Sequence, residues 1–184
     1  MLERTTPRLF LGGADTDWSL ITSPAVPVLV IDRDAPVDPA EALAAVSTAI
    51  TLAGKPEAFA EALAGLPEAL RTDILFLASR FSDLTGSSSL RLRLESVDTD
   101  ACRRFHADYT DVRLVLTYAG PGTDIRETTD DDAPVHRISA GQIALFKGRL
   151  YPGAPPVLLH RSPPIEGSGT RRVVLVLDTA DRSA

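Results

Sequence analysis

The chain has 184 residues, 44% of them hydrophobic and 24% charged, a balance that excludes disordered, collagen-like and disulfide-stapled classes. Its formal charge of −6 argues against general binding to nucleic acid or anionic lipid. The surplus is confined to the first half: residues 1–89 carry 6 basic and 12 acidic side chains and residues 90–184 carry 13 of each, so the second half can hold a local basic pocket.

The opening MLERTTPRLFLGGADTDW sets Glu3, Asp15 and Asp17 around a short apolar run, unlike a secretory leader. No apolar run approaches the ~20 residues of a bilayer span, so a cytoplasmic protein with no membrane or nucleic-acid partner is expected. Val26 to Ile31 is β-branched and ends at a turn cluster, which predicts a strand. Asp38, Pro39 and Glu41 then form a helix-start signal. Leu43, Val46 and Ile50 continue it at helical spacing, predicting a helix to about Leu52, before Gly54 and Pro56. Two more helices are predicted over Pro56 to Ala64 and Pro67 to Leu84. Trp18 is expected to pack between the N-terminal segment and these helices.

After Gly86 the hydrophobic period changes from 3.6 to 2, with Leu90, Leu92 and Leu94 alternating with Arg91, Arg93 and Glu95. Val112 to Tyr118, Gly141 to Phe146, Val157 to Leu159 and Val173 to Leu177 read as further short strands. Asp130 to Asp132 reads as a solvated loop, and Gly120-Pro121-Gly122 as a turn. The pattern predicts an α+β chain forming one domain over 1–184. Residues 1–88 are mainly helical with one early strand, and residues 89–184 form a β sandwich or jelly-roll barrel.

Three histidines are present, and His106 has a chemical partner two residues on, Asp108. On an extended strand both side chains leave the same face. His160 lies 54 residues later at the end of an apolar run, far enough for the chain to return beside the first pair. Two imidazoles and one carboxylate fill one face of an octahedron and leave positions open, as in non-haem Fe(II) oxygenases; the same set suits catalytic Zn(II). His136 has no acid two residues away and is expected to face solvent. Cys102, the single cysteine, permits no intrachain disulfide and is read as a small thiol rather than a ligand.

With His-x-Asp early, His160 late, and Arg171 and Arg172 11 and 12 residues beyond it, the stretch from Arg103 to Asp178 resembles the Fe(II)/2-oxoglutarate-dependent oxygenases. That resemblance implies a double-stranded β-helix, jelly-roll and cupin-like, with His106, Asp108 and His160 as metal ligands. It also implies an arginine that binds the 2-oxoglutarate carboxylate, and a tyrosine, here Tyr118, that hydrogen-bonds the cosubstrate in some members. Phe105-His106-Ala107-Asp108, Thr117 to Thr123, Ala144 to Gly148 and His160 to Pro164 are more closely similar to an uncharacterised bacterial family, domain of unknown function 1826.

Arg171 and Arg172 leave opposite faces of a strand whose two faces are both apolar, so alternation does not choose between them. Arg172 is preferred because it directly precedes the apolar run, as the arginine does in that family; a guanidinium fork can grip a carboxylate through two parallel hydrogen bonds. Lys147 and Arg149 are candidates for additional positive charge. The expectation is therefore a 2-oxoglutarate-dependent dioxygenase using Fe(II) to hydroxylate a small molecule or protein side chain. A cupin-like Zn(II)-binding or metal-sensing protein is the alternative. A third reading is a metal-free interaction module that forms a homodimer through its apolar sheet.

Overall fold

The computed structural model describes residues 9–127, 132–153 and 158–180. Its strands are β1 (Leu9–Gly12), β2 (Val28–Ile31), β3 (Ile50–Gly54), β4 (Leu90–Val97), β5 (Val112–Ala119), β6 (Thr123–Glu127), β7 (His136–Ile138), β8 (Ile143–Lys147), β9 (Leu158–Arg161) and β10 (Arg172–Thr179). Its α-helices are α1 (Pro39–Ala45), α2 (Phe59–Ala62) and α3 (Glu68–Thr85), with single 3-10 turns at Trp18–Thr22 and Pro56–Ala58. A seven-stranded sheet runs in the order β1-β2-β8-β5-β10-β4-β3, and a three-stranded sheet in the order β7-β6-β9.

Period-two alternation divides the large sheet into a helix-facing side and a site-facing side. Leu90, Leu92 and Leu94 of β4, Leu114 and Leu116 of β5, and Val173, Leu175 and Leu177 of β10 are buried in one core with Leu70, Ile74, Leu77 and Phe81 of α3. Full burial of each such side chain stabilises by about 1.5–3 kcal/mol, which holds α3 across the sheet. On the other side, Val28, Val30, Val115, Ala144 and Phe146 pack against Ile125, Ile138 and Leu158 of the small sheet. β2 and β8 are thus buried on both faces, which is why VLVI and IALF read as continuous apolar runs.

A polar rivet crosses the helix-facing core. Arg33 grips Asp73 of α3 through two hydrogen bonds of 2.5 and 2.8 Å, and the Tyr118 hydroxyl donates to Asp73 Oδ2 at 2.7 Å. Trp18 is buried, with the Arg80 guanidinium 4.9 Å from its ring centre, so it packs as the sequence suggests.

The first 88 residues differ from expectation. α1 begins as predicted, with Asp38 Oδ1 accepting from the Ala40 and Glu41 amides, but it ends at Ala45. Ile50 to Leu52 belong to β3, which pairs antiparallel with β4 as an edge of the large sheet. The segment contributes three strands, β1, β2 and β3, rather than one. The predicted helix over Pro56 to Ala64 is a 3-10 turn followed by the short α2, whereas the third matches α3 closely. Val157, Asp130 and Asp131 lie outside the described residues. Among the described residues no helix is long and apolar enough to cross a membrane.

Candidate metal centre

His106 lies outside the named strands but makes one antiparallel bridge with His160 of β9. The His106 amide donates to the His160 carbonyl at 3.0 Å and the His160 amide to the His106 carbonyl at 2.9 Å. That reciprocal pair closes the 54-residue return and sets the two rings 4.7 Å apart, edge to face. Asp108 completes the group: one donor atom from each of His106, Asp108 and His160 lies within 4.8 Å of the others. His106 Nε2 is 3.5 Å from Asp108 Oδ1 and His160 Nε2 is 2.9 Å from Asp108 Oδ2.

The surroundings orient each donor. His106 Nδ1 lies 2.8 Å from the Arg104 carbonyl, a contact that places the proton on Nδ1 and leaves the Nε2 lone pair facing the group. Phe146 packs on the His160 ring at 4.5 Å between centres. Asp108 Oδ1 receives Arg113, which is anchored by Asp178 through contacts of 2.6 and 2.7 Å. Burial acts to raise the Asp108 pKa, but the contacts of His106 and His160 and the Arg113 charge outweigh it and hold the carboxyl far below the ordinary range. The Asp108 contact, against burial, raises the pKa of His106.

Asp108 Oδ2 is buried; among the described residues its close polar neighbour is His160 Nε2 at 2.9 Å, which is not aligned for a well-formed hydrogen bond. A buried carboxylate oxygen whose hydrogen bond is poorly formed is costly. Two imidazole nitrogens and one carboxylate oxygen, all within 4.8 Å of one another, make a donor set that fits a divalent cation of the Fe(II) or Zn(II) type.

Arg172 shares a cleft of about 100 Å3 with His106, His160, Arg113, Val115, Val174 and Val176. The residue is 1% exposed, and among the described residues its guanidinium hydrogen-bonds neutral acceptors: Pro121 O at 2.6 Å, Ser162 Oγ at 2.8 Å and Thr117 Oγ1 at 3.2 Å, with Thr123 Oγ1 at 3.5 Å; the Asp124 charge acts on it without a direct contact. Burial pushes its pKa down to about 10, so it is still a cation at neutral pH. Gly120, at φ +80°, admits the β10 backbone: a Cβ there would lie 2.3 Å from the Arg171 carbonyl. The Gly-Pro-Gly turn thus positions Arg172, a role its sequence does not announce.

Arg171 is exposed on the opposite face. Tyr118 does not reach the cleft. It shares the helix-facing side with Leu114 and Leu116, where its hydroxyl meets Asp73, and Thr117 is the β5 side chain that faces Arg172. Lys147 also points elsewhere, donating to the Ser23 carbonyl at 2.6 Å with Tyr151 against it. Arg149 is exposed. His136 is half-buried rather than solvent-facing: it sits opposite Ile125 on β7, with Nε2 shielded from water. Cys102 is exposed at the cleft and outside the ligand group. Arg113 and Asp178 were not candidates from the sequence, yet Arg113 alternates with Val115 and Thr117 on the site-facing side of β5 and was legible there.

The two sheets and the helical layer define a jelly roll of the kind found in 2-oxoglutarate oxygenases. Dioxygenase for auxin oxidation 1 from Arabidopsis thaliana, solved as a binary complex with 2-oxoglutarate, is 10% identical and superposes with a TM-score of 0.60 over 93% of this chain and 92% of its own. The dioxygenase for auxin oxidation from rice is 15% identical, with a TM-score of 0.54 over 83% of this chain and 73% of its own. Such identities establish the fold alone. At the level of sequence, residues 17–178 match the family described as "Protein of unknown function (DUF1826)", and the chain belongs to that family. No curated protein matches it.

Proposed function

We propose that this protein is a non-haem Fe(II)/2-oxoglutarate-dependent oxygenase that hydroxylates a substrate admitted to the cleft beside Arg172. The observation that carries the reading is the convergence of His106, Asp108 and His160, with buried Asp108 Oδ2 facing His160 Nε2 at 2.9 Å, in a fold shared with such enzymes. These three side chains would hold the metal on one face and leave the remaining positions for cosubstrate and oxygen. Bound Fe(II) and 2-oxoglutarate supply the oxygen activation; the chain's own work is orientation and exclusion of water.

Arg172 supports the cosubstrate assignment. A buried cation whose hydrogen-bond partners among the described residues are neutral favours an anion, and its fork suits a carboxylate. The cleft is well below the ~300 Å3 lower bound of pockets for drug-sized ligands, which suits a small dicarboxylate. Val115, Val174 and Val176 line it with apolar surface. Zinc on the same ligands would leave Arg172 with a structural role only, its hydrogen bonds to Pro121, Ser162 and Thr117, so the iron reading comes first.

Anaerobic addition of Fe(II) and then 2-oxoglutarate is the test. A weak visible charge-transfer band is expected. A flat difference spectrum with no 2-oxoglutarate binding would remove the reading.

A further inference from the structure

Asp108 has two oxygens with different surroundings. Oδ1 is taken by Arg113, with His106 Nε2 at 3.5 Å, while buried Oδ2 faces His160 Nε2 at 2.9 Å. Arg113 in turn is fixed by the two-point contact with Asp178 at 2.6 and 2.7 Å. The sheet builds this pair directly, because Arg113 of β5 and Asp178 of β10 are opposite partners in the antiparallel register. Both side chains are mostly buried, 16% and 9% exposed, so the arrangement is held by packing as well as by charge.

We infer that the Arg113–Asp178 pair is a positioning device that occupies Asp108 Oδ1 and so restricts Asp108 to one-oxygen metal ligation through Oδ2. The inference rests on the metal site proposed above and extends it to two residues that touch no metal. With Oδ1 engaged, the carboxylate is unable to chelate through both oxygens, and the coordination position a second oxygen would fill is kept for cosubstrate. Partners that orient a ligand in this way commonly account for 10–100-fold in metal affinity. The pair is neutral as a whole, so removing both charges together alters orientation without adding net charge beside the cation.

Co(II) is the probe, because its visible absorption reports ligand number and geometry. The full chain and the variants R113Q/D178N, R113K and H106A are titrated with Co(II), and their folding is checked by circular dichroism. The wild type should bind about one Co(II) and H106A none. R113Q/D178N should stay folded, bind Co(II) 10–100-fold more weakly and show altered bands. R113K, which keeps a cation between the two carboxylates, should recover part of the loss. If R113Q/D178N does not fold, R113K carries the test alone: its bands must still differ from the wild type's. Affinity within about threefold of wild type, or tighter, with unchanged bands in the folded variants overturns the inference. Absence of Co(II) binding by the wild type overturns the metal site itself, so the two failures are distinguishable.

Discussion

At the scale of single residues, spacing carried more than composition. His106 and His160 meet through one backbone bridge, which a return of 54 residues permits but does not compel. Replacing His106 with Ala removes one of three donors, and metal analysis after Fe(II) loading should fall from about one ion per chain to near zero. Replacing His136 with Ala should leave metal content unchanged, because that ring is outside the ligand group. Arg172→Lys keeps a cation but loses the planar fork; 2-oxoglutarate affinity, measured by calorimetry on the Fe(II)-loaded protein, should drop about tenfold or more while metal content holds.

Tyr118, suggested by family resemblance, and Lys147, suggested by its charge, both follow strand alternation away from the cleft. Tyr118 is in step with Val112, Leu114 and Leu116, and Lys147 with Ile143 and Leu145, all facing the helical layer. The choice between Arg171 and Arg172 was not legible that way, because both faces of β10 are apolar. The packed environment distinguishes the two side chains: Arg172 is buried over the cleft and Arg171 is exposed.

At the scale of elements, the strands rich in Val, Leu and Ile were legible and the polar ones were not. β6 reads Thr-Asp-Ile-Arg-Glu because only Ile125 enters the inter-sheet core, while Asp124 is buried beneath Arg137 and Arg161. β3 was hidden because Ile50 continues the spacing of Leu43 and Val46; pairing with the β4 edge wins over local periodicity. Glycines mark where elements depend on backbone geometry. Gly86 caps α3 in the left-handed region at φ +65° with open space around it, so G86A should cost about 1 kcal/mol in chemical denaturation. A Cβ at Gly122 would lie 1.7 Å from the Ile138 carbonyl oxygen, between the start of β6 and the end of β7. G122A should therefore cost more, about 3 kcal/mol, and should loosen the small sheet that carries His160.

At the scale of the whole molecule, the jelly roll and the helical layer are joined by the Arg33–Asp73–Tyr118 rivet. Burial, reinforced by the Asp73 carboxylate, raises the Tyr118 hydroxyl well above its ordinary pKa. An unfolded tyrosine ionises near pH 10, so above about that value the unfolded chain sheds a proton that the native state keeps. Stability from this group is complete below pH 10 and declines as pH rises beyond it. Y118F should be about 1 kcal/mol less stable at neutral pH for want of the hydrogen bond, and the gap to wild type should shrink in alkali. Urea unfolding of both proteins between pH 8 and 11 checks the sign.

The account depends on one cation shared by side chains at positions 106, 108 and 160. Elemental analysis of natively purified protein reads this most directly: about one iron or zinc ion per chain is predicted for the wild type and none for H106A. Wild-type protein that carries no divalent metal as purified, and takes up none on anaerobic loading with Fe(II), would contradict it.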